Sequence, residues 1–399
     1  MINEKMKNYG NNRSVIRDLF EFGNQRKAEI GAENVFDFSL GNPNVAAPAD
    51  VNATIIDLLN TKDDIYLHGY TSAQGDANCR EAIVTDLNKR FSTSFRKENL
   101  YMTCGAAASL KIILSALYTE GDEVVVFTPY FPEYRVFIET TGAKCVESAC
   151  DPNTLQIDFD ILSEAINENT KAVIVNSPNN PSGVVYTEEN IAKLGKLLEE
   201  RSAEYGHAIY LITDEPYREL VYDGITVPFV TKYYRDTVVC YSFSKSLALP
   251  GERIGYILVP DEVTDAKDVY AAVCGAGRAL GYVCAPSLMQ HVLERCTGQV
   301  SDLDEYKEKR DLIYNALTDL GFTCIHPDGA FYLFVKSPIA DAKEFSNKAK
   351  EFNLLIVPAD SFGTPGFVRI AYCVATDMIR RSLPAFEKLA ECYAEELKK

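Results

Sequence analysis

Residues 238–259 read VVCYSFSKSLALPGERIGYILV. Val238–Tyr241 is a short aliphatic run that ends in Ser242-Phe243-Ser244-Lys245, and a second such run, Ile254–Val259, follows Arg253. Neither alternates polar with apolar residues. Runs that stay apolar for most of their length suit strands covered on both faces, as in a parallel sheet. Tyr101–Cys104, Glu123–Phe127, Ala172–Asn176 and Ile209–Thr213 read the same way. Between them lie stretches of helical period, such as Leu110, Ile113, Leu114 and Leu117. Another starts at Thr187 and carries Ile191, Leu194, Leu197 and Leu198. This alternation predicts an α/β fold with a doubly wound, mostly parallel sheet.

From about residue 286 the pattern changes to long helices flanking a few strands, Phe331–Val335 and Phe367–Tyr372 among them. An amphipathic helix over Arg381–Leu397 closes the chain, with Leu383, Phe386, Leu389, Ala390, Tyr393 and Leu397 on its apolar side. The expected organisation is an N-terminal arm with part of a small domain (1–45), a large domain (46–285) and a C-terminal small α+β domain (286–399). Neither a repeat nor a low-complexity segment is visible.

The chain has 399 residues, 47% hydrophobic and 24% charged, with a net charge of −17. Nucleic acid and anionic membrane surfaces are therefore excluded as expected partners, because a polyanion would be repelled. An anionic ligand in so acidic a chain needs locally placed cations or backbone N–H groups. The eleven cysteines form no Cys-x-x-Cys pair, Cys145 and Cys150 being the nearest, and they sit in apolar segments that suit buried thiols. The four histidines (His68, His207, His291, His326) show no metal-ligand spacing, so no metal is expected. Met1-Ile2-Asn3-Glu4-Lys5 has no apolar signal core, and Val269–Leu293 is interrupted by Gly275, Gly277, Arg278, Gly281, Pro286 and His291. A cytoplasmic location is expected.

In an open parallel sheet, ligands bind beyond the carboxyl ends of the strands. Those ends carry Gly105-Ala106-Ala107 opening a helix, Thr128-Pro129-Tyr130-Phe131, Ser177-Pro178-Asn179-Asn180-Pro181-Ser182-Gly183, Asp214-Glu215-Pro216-Tyr217, and Ser242-Phe243-Ser244-Lys245 with Arg253 beyond. A helix start built of small residues lets backbone N–H groups approach a phosphate. Ser242, Ser244 and Arg253 add hydroxyls and a forked cation. No G-x-x-x-x-G-K-[ST] or G-x-G-x-x-G run exists, so the phosphate belongs to neither a nucleotide loop nor a dinucleotide. Lys245 can form a Schiff base with an aldehyde, Asp214 can hold a pyridine nitrogen protonated, and Phe131 can stack on a ring. That set describes pyridoxal phosphate.

These residues resemble the class I/II, aspartate aminotransferase-like members of the fold-type-I pyridoxal-phosphate enzymes, from about residue 35 to 385. Leu40-Gly41-Asn42-Pro43 with Pro48 is similar to the family's substrate-side loop, which implies Gly41 near the substrate carboxylate. Tyr70 ahead of Gly75 resembles the tyrosine that reaches the partner subunit's cofactor phosphate, implying a homodimer with shared active sites. The resemblance further implies Phe131 on the ring face and Asn180 and Tyr217 on the cofactor's phenolic oxygen. It puts Asp214 on the pyridine nitrogen and Lys245 as the Schiff-base lysine. Gly105, Ala106, Ala107, Ser242, Ser244 and Arg253 would hold the phosphate. Pro327-Asp328-Gly329-Ala330-Phe331-Tyr332 and Phe367-Val368-Arg369-Ile370 resemble small-domain hallmarks, with Arg369 clamping the substrate α-carboxylate and Asn180 beside it. The implied reaction is a ping-pong transfer of an amino group from an α-amino acid to a 2-oxo acid.

Three positions depart from the pattern. Phe131 stands where Trp or Tyr is commoner, Ala107 where one aspartate-specific subgroup carries a lysine for the distal carboxylate, and Ala359 where a glycine is usual. Arg278 could read a distal carboxylate across a dimer. A carbon–sulfur β-lyase or a decarboxylase would need the same cofactor cradle, and a cofactor-binding regulator is the non-enzyme alternative. Ser242-x-x-Lys245 also has the spacing of serine β-lactamases, but S-D-N and K-T-G are missing.

Overall fold

The computed structural model describes residues 2–11 and 15–398. Its strands, in chain order, are β1 (Phe36–Asp37), β2 (Leu100–Thr103), β3 (Glu123–Thr128), β4 (Lys144–Ala149), β5 (Thr170–Asn176), β6 (Tyr210–Asp214), β7 (Thr237–Ser242), β8 (Gly255–Leu258), β9 (Cys324–Ile325), β10 (Tyr332–Lys336), β11 (Leu354–Leu355), β12 (Val357–Pro358) and β13 (Phe367–Ala371). Seven of them form one sheet in the order β2-β8-β7-β6-β5-β3-β4.

Successive residues in these strands go to opposite faces, and both faces are covered. Val124 and Val126 pack with Leu110, Ile113 and Leu114 of the helix Ala106–Leu117, while Val125 and Phe127 pack with Ile191, Leu194 and Leu198 of Glu188–Tyr205. In β7, Val238 and Cys240 join the first of these clusters. Val239 and Tyr241 join a third, built on the helices Ala49–Thr61, Ala77–Phe91 and Ser287–Cys296. Two-sided burial is why the sequence runs are apolar throughout. The sheet departs from an all-parallel reading at one strand. β8 runs antiparallel to both β7 and β2, so the Ile254–Val259 run was correctly a strand but not a parallel one. β4, at the edge, pairs with β3 alone and exposes Lys144, Glu147 and Ala149 while burying Cys145 and Ser148, a pattern the apolar runs did not reveal.

A smaller antiparallel sheet, β12-β13-β10-β9, packs on the helices Leu303–Asp319, Ala342–Glu351 and Thr376–Glu391 around Phe331, Leu333, Phe345, Ile370 and Phe386. The closing helix ends at Glu391, short of the Leu397 its periodicity suggested, although Tyr393 and Leu397 still pack on that core. β1 adds to β11, which ties the chain's beginning to this smaller body. The helix Val15–Ile30 lies against it through buried Leu19 and Gly23. Among the described residues, no helix is long and apolar enough to cross a membrane. All eleven cysteines are free.

Candidate active site

The carboxyl ends of β2, β3, β5, β6 and β7 open into a cavity of about 350 Å³. Ala106, Ala107, Phe131, Asn180, Asp214, Tyr217, Ser242, Ser244, Lys245 and Arg253 line it, and Gly41, Tyr332 and Arg369 close it from the side of the smaller sheet. Chain segments far apart in sequence are thus brought together because each follows a strand of one sheet. Gly105 lies directly behind the wall as the N-cap of the helix Ala106–Leu117. Tyr70 and Arg278 do not line the cavity of their own protomer: Tyr70 is 90% exposed, and Arg278 is exposed in the last turn of Ala266–Ala279.

Asp214 is the last residue of β6 and is buried. Its Oδ2 accepts a 2.5 Å hydrogen bond from the Tyr134 hydroxyl, while Oδ1 has no partner among the described residues. Burial pushes the carboxyl up to about 7, against the lowering effect of the Tyr134 donor. Such a group gains most from a cation placed at Oδ1. Asn176 braces it from β5: its Nδ2 donates to the Asp214 carbonyl at 2.9 Å and its Oδ1 accepts from the Asn180 N–H at 2.7 Å.

Lys245 sits in the one-turn helix Phe243–Ser246, which Ser242 caps by accepting from the Ser244 N–H at 3.1 Å. Its ammonium donates to the Gly41 carbonyl at 2.8 Å and lies 5.3 Å from the Phe331 ring. Burial first, and then Arg253 and Arg369, lower its pKa to about 8, with Cys373 opposing. An amine so placed is partly neutral near pH 7–8 and can act as nucleophile or base.

The phosphate-type corner lies beyond it. Gly105 has φ +89°, and a Cβ there would fall 2.7 Å from Arg253 Nη2, so only glycine lets the guanidinium lie against the helix start. Arg253 donates from Nη1 to Ser244 Oγ (3.3 Å) and to the Pro250 carbonyl (3.0 Å), and the Ser242 and Ser244 hydroxyls are 2.6 Å apart. A helix N-terminus, two hydroxyls and a guanidinium therefore converge, the donor set a phosphate takes.

Arg369, on β13, is fully buried. Nη2 donates to the Ser39 carbonyl at 2.5 Å and Nη1 to Asn180 Oδ1 at 3.2 Å, while Nε has no partner among the described residues. Its guanidinium lies over the rings of Tyr332 (4.8 Å) and Phe362 (5.1 Å). Desolvation lowers its pKa, and the Tyr332 and Tyr217 hydroxyls, themselves 2.8 Å apart, face it. At Gly41 a Cβ would meet Tyr332 Oη at 2.1 Å, which explains a glycine on this wall.

Several residues of the site escaped the sequence reading. Tyr134 sits three residues past Phe131 on the helix Glu133–Glu139 and looks like a core aromatic; Asn176 ends a strand and looks like its punctuation. Ile16, Arg17, Leu110, Glu133 and Pro250 also line the cavity. Arg17 belongs to a helix far from every motif and carries no signal in the sequence. Elsewhere, His291 comes together with Asp76 and Glu294, but His291 Nδ1 already meets Glu294 at 2.9 Å and Asp76 caps the helix Ala77–Phe91.

Residues 33–386 match the family model described as aminotransferase class I and II. A solved aminotransferase from Eubacterium rectale is 58% identical and superposes with a TM-score of 0.96 over 98% of this chain and 99% of that one. A probable aspartate aminotransferase from Methanocaldococcus jannaschii is 30% identical, over 98% of this chain and 100% of the relative. An aromatic-amino-acid aminotransferase 2 from Thermococcus litoralis is 27% identical over 95% of this chain and 96% of its own length.

Proposed function

The chain belongs to the class I and II aminotransferases, and from that premise we propose which of its residues carry the reaction. It is a pyridoxal-phosphate-dependent enzyme that transfers an amino group from an α-amino acid to a 2-oxo acid. The cavity suits the cofactor on three counts. Asp214 Oδ1 is a buried oxygen without a partner among the described residues, Gly105 leaves backbone room beside Arg253, and Lys245 lines the same cavity. When bound, pyridoxal phosphate supplies an aldehyde for amines and an electron-poor ring that stabilises negative charge at the substrate Cα.

In this reading Asp214 keeps the pyridine nitrogen protonated through Oδ1, and Tyr134 holds the opposite oxygen so that the carboxylate cannot rotate away. Phe131 stacks on the ring. Tyr217 and the Asn180 amide nitrogen donate to the phenolic oxygen, Asn180 being oriented by the hydrogen bond its Oδ1 accepts from Arg369. The N–H groups at Gly105, Ala106 and Ala107 hold the phosphate with Ser242, Ser244 and Arg253. Lys245 would hold the aldehyde and, as a free amine beside the substrate, would take the proton from Cα. Arg369 grips the α-carboxylate beside Gly41, which fixes the Cα–H bond for cleavage.

The observation that carries these roles is a single cavity holding a carboxylate with one unpartnered oxygen and an amine with its pKa lowered to about 8. For the substrate we take the dicarboxylic class, after the relative named as a probable aspartate aminotransferase; the aromatic class is the second reading, after the relative named for it. We also propose a homodimer in which Tyr70 reaches the partner subunit's phosphate, supported by its exposure, and a cytoplasmic location, supported by the free cysteines. Purified holoprotein should be yellow and should bleach when an amino acid is added. Protein that takes up no cofactor, or takes it up without bleaching with any amino acid, would overturn the assignment.

A further inference from the structure

From the placement of Tyr217 at the cofactor's phenolic oxygen, on which this inference rests, we propose that Tyr332 is a positioning residue. Its hydroxyl donates to Tyr217, so that the Tyr217 proton points at the phenolic oxygen. Tyr217 follows β6 of the large sheet, and Tyr332 opens β10 of the smaller one. Both line the cavity and both are buried. Their hydroxyls meet at 2.8 Å, with the rings inclined at 81°. A phenol carries one proton and can accept as well as donate. Neither hydroxyl has another hydrogen-bond partner among the described residues. One proton of the pair closes the bond between them, and the other is left for the cavity. Whichever phenol accepts within the pair supplies that spare proton. With Tyr217 as acceptor it lies on the cofactor side; with Tyr332 as acceptor it lies beside Gly41 and Arg369.

The surroundings favour the first arrangement. The Arg369 guanidinium lies 4.8 Å from the centre of the Tyr332 ring. Burial raises the pKa of both phenols, and at Tyr332 Arg369 is the largest influence opposing it. Arg369 also reaches Tyr217, but there Asp214 works against it. A cation over Tyr332 and a carboxylate on the side of Tyr217 make Tyr332 the better donor of the two. The Tyr332 ring is also held in place. A Cβ at Gly41 would meet its hydroxyl oxygen at 2.1 Å and Cζ at 2.9 Å, so the loop backbone packs directly on the end of the ring. The hydrogen bond thus spans the two sheets across the cavity and ties the orientation of Tyr217 to the smaller body.

The test is a pH titration of cofactor absorbance in the holoenzyme, for the parent, Tyr332→Phe, Tyr217→Phe and the double variant. Phenylalanine keeps each ring, so only the hydroxyls are removed. A donor at the phenolic oxygen favours its anionic form, and losing that donor moves the absorbance transition to higher pH. Tyr217→Phe should raise the midpoint by about one unit or more, and Tyr332→Phe should raise it by about 0.5 to 1 unit. Added to Tyr217→Phe, Tyr332→Phe should shift nothing further, since its effect passes through the Tyr217 hydroxyl. An unmoved midpoint in Tyr332→Phe overturns the inference; if KM for the amino acid rises instead, the spare proton serves the substrate carboxylate. A Tyr332→Phe shift of equal size with and without the Tyr217 hydroxyl overturns it too. If Tyr217→Phe itself moves nothing, the placement of Tyr217 fails and the inference with it.

Discussion

The Tyr134 hydroxyl donates to Asp214 Oδ2 at 2.5 Å and leaves Oδ1 without a partner. One oxygen is thus fixed by a neutral donor, and the other is kept for a cation. Because that donor lowers the Asp214 pKa against a larger upward push from burial, removing it should raise the pKa further. Tyr134→Phe is expected to cut kcat/KM about 10-fold, the loss of one hydrogen bond to a charged group. The acid limb of its pH profile should move upward. An unshifted limb with unchanged kcat/KM would show that Tyr134 only fills space.

The same carboxylate makes the cofactor-free protein sensitive to pH. Its pKa rises from 3.8 unfolded to about 7 folded, so the folded state favours the protonated form. The stability this confers is complete below about pH 4 and is lost as pH climbs through 7, by roughly 4 kcal/mol. Asp214→Asn removes the titration. Denaturant unfolding of both cofactor-free proteins at pH 5 and pH 8 should show a larger loss in the parent than in the variant, and equal losses would contradict the assigned burial effect.

Lys245 titrates in the opposite sense: burial favours its neutral amine, with a pKa of about 8 rather than 10.5. Covalent capture of added pyridoxal phosphate needs that neutral amine. The capture rate, followed by stopped-flow absorbance, should therefore rise with pH and level off above about 8. A rate still climbing toward pH 10.5 would argue for an ordinary, solvated lysine. Lys245→Ala should abolish both the absorbance and turnover.

What the sequence made visible follows from burial. β3, β5, β6 and β7 could be read because both their faces are covered, which leaves no polar alternation to confuse with a surface. β4 could not, because as an edge strand it exposes Lys144, Glu147 and Ala149, which breaks up any apolar run. Strand direction was also hidden, since an apolar run reads alike both ways; hence the surprise at β8. In the site, residues directly following strands were legible because sheet topology alone gathers them. Tyr134 reaches Asp214, and Arg17 the cavity, by helix packing, and no local spacing encodes that.

Arg369 is tied at Nη1 and Nη2 and held between the Tyr332 and Phe362 rings, with Nε unpartnered. A planar fork stacked between rings has no equivalent in an ammonium, so lysine should not rescue this position. Arg369→Lys is expected to lower kcat/KM about 100-fold or more for every amino acid alike, since all present the same α-carboxylate. Cofactor absorbance should persist. A loss confined to dicarboxylic substrates would mean that Arg369 reads the side chain instead.

Tyr70 is 90% exposed and lines nothing in its own protomer, whereas Lys245 lies inside the cavity. If Tyr70 serves the partner subunit's phosphate, the two residues act in trans, and a hybrid can separate them. Tyr70→Phe should weaken cofactor retention and lower turnover about 10-fold, as expected for a lost hydrogen bond to an anion. Lys245→Ala should be inactive. Unfolding and refolding the two variants together produces dimers in which one site has an intact Lys245 from one chain and an intact Tyr70 from the other. Activity per Lys245-containing chain should then exceed that of Tyr70→Phe alone. If Tyr70 acted within its own chain, or if the protein did not dimerise, mixing would recover nothing.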